Sequence, residues 1–154
     1  MGMKPIYSTS PDLYRSYRPS YGNSIYNFIS SLLEDNQKAW DCACGSGQAT
    51  IEVAKFVDSV VGTDPDFYQL KEAPIVRNIK YYKTSETVEE LKNNSLDLIT
   101  VATGIHWLNR PKFYNEVKRV LKKGAVLATW GYTGIDLNPE IDSVIKDIVK
   151  KHLL

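Results

Sequence analysis

The run Asp41-Cys42-Ala43-Cys44-Gly45-Ser46-Gly47-Gln48-Ala49-Thr50 gathers an acid, two thiols and two glycines into one short segment. Gly45 and Gly47 allow a tight turn and bring a ligand within reach of backbone amides at the start of a helical pattern. A second acid, Asp64, stands 19 residues beyond Gly45, close to the offset at which a carboxylate accepts hydrogen bonds from ribose hydroxyls. Because Asp64 precedes Pro65, capping of the next helix is its structural alternative. His106 and Trp107 follow Gly104 just beyond an apolar run, where binding residues concentrate and a histidine can serve as a general base. A hydrogen-bonded structural histidine beside a core tryptophan is the other reading of that pair. Cys42 and Cys44 have only His106 and His152 as further soft ligands. That is no four-ligand zinc set, and reduced, buried thiols are expected.

Two positions in the glycine segment depart from a dinucleotide fingerprint. Ala43 stands where the first glycine often falls, and Thr50 occupies the place of the third. A dinucleotide needs that third glycine for close helix packing beneath its pyrophosphate. S-adenosylmethionine carries no phosphate and asks only for a tight turn, so the loop favours the methyl donor. A dinucleotide-binding domain is kept as an alternative.

The elements that must position these residues alternate. Strand patterns are predicted over Lys38–Ala43, Ser59–Asp64, Ile79–Lys83, Leu96–Thr103 and Ala125–Tyr132. Helical patterns are predicted after an Asn23 cap, with Ile25, Phe28, Ile29, Leu32 and Leu33 on one face. Others cover Gln48–Phe56, Phe67–Glu72, Val88–Leu91, Pro111–Leu121 (closed by Gly124) and Pro139–Leu153. Strands each followed by a helix predict an α/β doubly wound, Rossmann-like, mostly parallel sheet of about five strands. Its ligands belong outside the carboxyl ends of the strands. Residues 1–22 read as an irregular N-terminal arm and 23–154 as the binding domain. Trp130, inside an apolar strand, is expected to pack.

With 19 basic and 18 acidic residues the net charge is +1 and the lysines are scattered, so no nucleic-acid footprint is present. No apolar run approaches the roughly 20 residues of a membrane span, and the cytoplasm is the default location. One domain of 154 residues can bury about two thirds of its unfolded surface.

Six motifs in order carry a resemblance: Tyr17-Arg18-Pro19-Ser20-Tyr21, Trp40 to Gly47, Val61-Gly62-Thr63-Asp64-Pro65, Tyr82-Lys83-Thr84-Ser85-Glu86, Ala102 to Trp107, and Ala128-Thr129-Trp130-Gly131-Tyr132. From about Tyr14 to Tyr132 the chain resembles class I S-adenosylmethionine-dependent methyltransferases, and within them the small-molecule branch that includes trans-aconitate methyltransferases. The resemblance implies that Asp41, Ala43, Gly45 and Gly47 wrap the methionine part of the cofactor and that Asp64 binds the ribose. It places Pro65 and Asp66 beside the adenosine, Ser85 and Glu86 at the adenine, and Ala102 and Thr103 beside the sulfonium. His106 and Trp107 lie just beyond, and Tyr14 and Arg18 belong to an arm over the cofactor, Arg18 offering a partner for a carboxylate. A small-molecule acceptor is implied, with a carboxylic acid, methylated to its ester, as the candidate. Such enzymes continue beyond the fifth strand into an antiparallel strand pair, which is not legible before Leu154. A C-terminally incomplete domain is therefore expected, with three competing consequences. The chain is a fragment of a longer enzyme, a cofactor-binding module without turnover, or part of an assembly in which self-association or a partner chain covers the exposed edge; a catalytically silent interaction module is the alternative to an enzyme.

Overall fold

A computed structural model of the chain describes residues 21–131, 138 and 140–144. Its elements run α1 (Asn23–Ser31), β1 (Lys38–Cys42), α2 (Gln48–Val53), β2 (Ser59–Thr63), α3 (Phe67–Lys71), β3 (Ile79–Tyr82), β4 (Leu96–Ala102), α4 (Arg110–Val120) and β5 (Leu121–Trp130). The sheet order is β3-β2-β1-β4-β5, and each of its four pairings is parallel. The expected doubly wound α/β sheet of five strands is thus present. The order reverses between β1 and β4, so the two neighbouring strands at the centre lead away in opposite directions and leave a crevice above their carboxyl ends.

Side-chain alternation along the strands feeds two cores. Trp40, Cys42, Leu96, Ile99 and Val101 pack with Phe113, Val117 and Val120 of α4. Ala39, Val60 and Leu98 pack on the other side with Tyr26 and Ile29 of α1 and Val53 of α2. β4 is buried along its whole length, as expected for a central parallel strand covered on both faces. Trp40 is fully buried, its ring 5.9 Å from Phe113, and its indole N–H donates to Thr63 Oγ1 at 2.9 Å.

Four expectations need correction. No helix forms at Val88–Leu91: the segment is a loop with one turn, Leu91 N–H to Val88 O. Val88 and Leu91 are buried beneath α4, and α4 supplies the hydrogen bonds that a helix would have supplied itself. Arg119 donates to Leu91 O at 2.7 Å and to Val88 O at 3.1 Å, while Glu116 accepts the Val88 N–H at 2.9 Å. The second correction concerns Gly124, which lies inside β5 at φ 83 rather than closing a helix. α4 ends at Val120 because Leu121 already pairs with Leu96, and the residues around Gly124 absorb a register shift before Val126 pairs with Leu98. Third, Gly22, not Asn23, is the N-cap of α1. Fourth, Asp66 caps α3 by accepting from Tyr68 N–H at 2.9 Å, so that role does not fall to Asp64.

Of the expected last helix, residues 140–144 are helical, with Asn138 Oδ1 accepting from Ile141 N–H at 2.9 Å. Its remainder, Tyr132, and the arm residues Tyr14, Tyr17 and Arg18 lie outside the described residues. Among the described residues β5 has one strand neighbour, β4.

Candidate cofactor site at the switch point

Each of the first four strands, β1 to β4, ends one residue before its pattern suggests, and the residue left over starts a loop. Those residues are Ala43, Asp64, Lys83 and Thr103. Ala43 and Thr103 both take φ 56, the left-handed region that costs a side-chain-bearing residue roughly 1–2 kcal/mol. They sit on neighbouring strand ends across the crevice, where strained backbone gathers at functional positions. Gly104 makes Ala43 tolerable: a Cβ on Gly104 would lie 2.8 Å from the Ala43 methyl. The glycine missing at Ala43 thus has its counterpart on the opposite strand end.

Asp64 is almost completely buried and ties two loops together. Its Oδ2 accepts from Gly45 N–H at 2.9 Å and its Oδ1 from Asp66 N–H at 2.8 Å. A carboxylate offers about four acceptor positions, so these two bonds orient the group and alone do not exhaust it. Asp41 is wholly buried, accepting from Thr50 Oγ1 at 2.6 Å and Thr100 Oγ1 at 2.7 Å. It braces the loop from below, joining α2 to β4. Thr50 therefore has a job that glycine could not do in the place of a third fingerprint glycine.

The field here is negative. Burial first, then the charge of Asp41, with Glu86 and Asp64 adding, push the Cys42 thiol well above its ordinary range despite a bond with Thr63. The same causes, burial followed by Asp41 and Asp64, raise Cys44. Both thiols are free and buried, as expected, and stay protonated. Among the described residues no metal-binding cluster is found.

Glu86, in the loop after β3, accepts from Asn109 N–H at 2.7 Å. Burial works against its charge, but that bond and the Ser85 hydroxyl hold its carboxyl below the ordinary range. Ser85 also offers its carbonyl to Cys42 Sγ at 3.7 Å. Pro65 is exposed and Ala102 is buried. The structure thus brings Ala43, Gly45, Asp64, Ser85, Glu86 and Thr103 to the carboxyl edge of the sheet. Tyr21, not singled out as a site residue by its sequence context, bonds its hydroxyl to Thr103 Oγ1 and stacks edge-on against Trp130 at 5.6 Å. Its place in the motif beginning at Tyr17 was the available signal. Trp130 packs as expected, also meeting Tyr26 edge-on at 6.0 Å. Trp107 is 66% exposed, which overturns its core reading, and its ring lies 4.9 Å from that of the equally outward His106.

Residues 40–129 match the family model described as a methyltransferase domain. A Dictyostelium discoideum protein described as a methyltransferase is 38% identical over 120 residues, covering 77% of this chain and 46% of its own length. A Saccharomyces cerevisiae protein described as an S-adenosylmethionine-dependent methyltransferase is 28% identical, covering 77% of this chain and 44% of its own. The chain thus spans about half the length of these relatives. A solved structure described as a type II methyltransferase, from Anaeromyxobacter dehalogenans, superposes with TM-score 0.75 at 30% identity, covering 86% of this chain and 56% of that one. With the strand order, the glycine loop and the matched span all in agreement, the chain belongs to the methyltransferase-domain family, of the class I S-adenosylmethionine-dependent type.

Proposed function

We propose that the chain binds S-adenosylmethionine at the β1–β4 crevice and serves methyl transfer to a small molecule of the kind handled by the trans-aconitate methyltransferase branch. The observation that carries this reading is Asp64, buried and oriented by Gly45 and Asp66 N–H groups beside the glycine loop. The donor set fits the cofactor. Carboxylates of Asp41, Asp64 and Glu86 act together on the Cys42 thiol, and the loop residues 43–47 and 64–66 contain no Lys or Arg. A cationic sulfonium suits that field, whereas a pyrophosphate held on the helix N-terminus would stand among like charges.

Asp64 would hold the ribose, Gly45 and Gly47 the methionine turn, and Pro65, Ser85 and Glu86 the adenosine end. Ala102 and Thr103 would border the methyl group, with Tyr14 and Arg18 over it. When bound, the cofactor supplies an electrophilic methyl whose bond electrons leave with sulfur. The chain's own task is then orientation and exclusion of water, worth about 7–11 kcal/mol when reacting atoms are held about 3 Å apart. A carboxylate acceptor, the class we favour, is already ionised and needs no base. A hydroxyl or amine would use His106. Residues 23–154 form the binding domain in this reading, acting in the cytoplasm.

Calorimetric titration with S-adenosylhomocysteine and with NAD tests the cofactor, the expected outcome being binding of the first only. Incubating the chain with methyl-labelled cofactor and carboxylic acids, followed by ester analysis, tests turnover. Binding without transfer would favour the second reading, a cofactor-binding module, which β5, paired among the described residues with β4 alone, and the exposed His106 and Trp107 support.

A further inference from the structure

Resting on the cofactor reading above, the geometry points to Tyr81 of β3 as a positioning residue that props the glycine loop through a channel made by two glycines. Tyr81 lies opposite Gly62 in the β2–β3 register. A Cβ on Gly62 would fall 2.7 Å from both Cδ1 and Cε1 of Tyr81, so the ring lies directly across that glycine. A Cβ on Gly47 would fall 2.5 Å from Tyr81 Oη and 3.2 Å from Cζ. The ring therefore crosses β2 at Gly62 and ends against the loop at Gly47.

This changes what the second glycine of the loop is for. Gly47 takes φ 78 and begins α2 as its N-cap, but the side on which a Cβ would project is filled by Tyr81 and by Ala73, whose methyl is 3.4 Å away. A ligand does not approach there. Gly47 is small so that Tyr81 can reach it, and Tyr81 holds the turn whose other bonds are Gly47 N–H to Cys44 O at 2.9 Å and Cys44 N–H to Thr63 O at 2.9 Å. Gly45, one residue inside that turn, presents its N–H to Asp64. Tyr81 thus acts on the ligand through the loop.

The test uses the full chain with Tyr81→Leu, Tyr81→Phe and Gly62→Ala, read by amide hydrogen exchange and by calorimetry with S-adenosylhomocysteine. Tyr81→Leu is expected to speed exchange at Cys44, Gly45 and Gly47 by roughly tenfold or more while β4 amides keep their protection. The same variant should weaken ligand binding about tenfold, and Tyr81→Phe, which keeps the ring, should stay within about threefold of the parent. The methyl added by Gly62→Ala would also lie 3.3 Å from Cys44 Sγ, and the variant should weaken binding about tenfold beside Tyr81 but less than about twofold further beside Leu, a coupling that neither the Cys44 contact nor plain loss of stability produces. Unchanged loop exchange in Tyr81→Leu, or an equal Gly62→Ala loss in both backgrounds, overturns the proposal. Should Tyr81→Leu fail to fold, Gly62→Ala displaces the ring without removing it, and parental loop exchange in that variant has the same force. If the parent chain binds no S-adenosylhomocysteine, the cofactor reading falls, and the exchange measurements still decide whether Tyr81 props the loop.

Discussion

The two sides of the crevice between β1 and β4 are built to different standards. On the β1–β2 side the two buried carboxylates have partners within the fold: Asp64 holds Gly45 and Asp66, and Asp41 holds Thr50 and Thr100. On the β4–β5 side Thr103 is half-buried, His106 and Trp107 face outwards, and the apolar residues Val126, Leu127 and Ala128 of β5 are only partly covered. The first side is preorganised before any ligand arrives, which reduces the ordering cost of binding. The second presents its hydroxyl, imidazole and indole groups more openly to solvent. In the proposed reading, holding a nucleoside cofactor and shaping an acceptor pocket are therefore separable tasks.

The comparison is broken most directly at Asp64. Asp64→Ala should cost roughly ten- to a hundredfold in S-adenosylhomocysteine affinity, since hydrogen bonds to a charged group contribute about 1.5–3 kcal/mol each. Calorimetry on the folded variant checks it, and parental affinity would remove the ribose assignment.

Next comes the loop between β3 and β4, held by α4. Arg119→Ala removes the guanidinium from the Leu91 carbonyl and from Glu116 and leaves the Val88 carbonyl with the Leu91 N–H, and should lower unfolding free energy by about 2–3 kcal/mol in urea titration. Glu116 is held below its ordinary 4.5 chiefly by the Arg119 guanidinium, with burial opposing and the Val88 N–H assisting. A carboxyl with a lower pKa folded than unfolded contributes fully above 4.5 and loses that contribution as pH falls below it. Stability measured across roughly pH 3 to 6, around that ordinary value, should therefore drop on the acid side less steeply in Glu116→Gln than in the parent.

Thr50→Val removes a bond to a buried carboxylate and should cost about 1–2 kcal/mol of stability. A smaller, opposite effect is expected from Ala43→Gly: relief of the left-handed backbone, about 1–2 kcal/mol, exceeds the added chain entropy of glycine, about 0.5–1 kcal/mol. A rise of about 0.5 kcal/mol in thermal unfolding would show that Ala43 is strained, and a fall would show that it is not. His106→Ala should change stability and cofactor affinity least, within about 0.5 kcal/mol as for other exposed sites, so any loss it causes in ester formation speaks for the acceptor side alone.

Much of the β1–β2 side was legible beforehand because its signals are local. The spacing of Gly45, Gly47 and Asp64 and the alternation of apolar runs depend on turn chemistry and on the period of a strand. The miss at Val88–Leu91 has the opposite cause. Two apolar residues three apart mimic a helical face, but their partners sit on α4, and Arg119 satisfied the backbone from a distance that no local pattern encodes. Gly124 misled in the same way, since a glycine after two lysines looks like a helix end until Leu121 is seen paired with Leu96.

By itself the sequence determined the order of the elements, the parallel sheet and the chemical character of the loop, because periodicity, glycine and acid spacing are properties of neighbours along the chain. Only the tertiary structure decided that Thr50 serves Asp41, that Gly104 makes room for Ala43, and that Gly47 and Gly62 are small for the sake of Tyr81. Each of those depends on two strands or loops meeting across the sheet, where the size of one side chain sets what its distant neighbour is allowed to be.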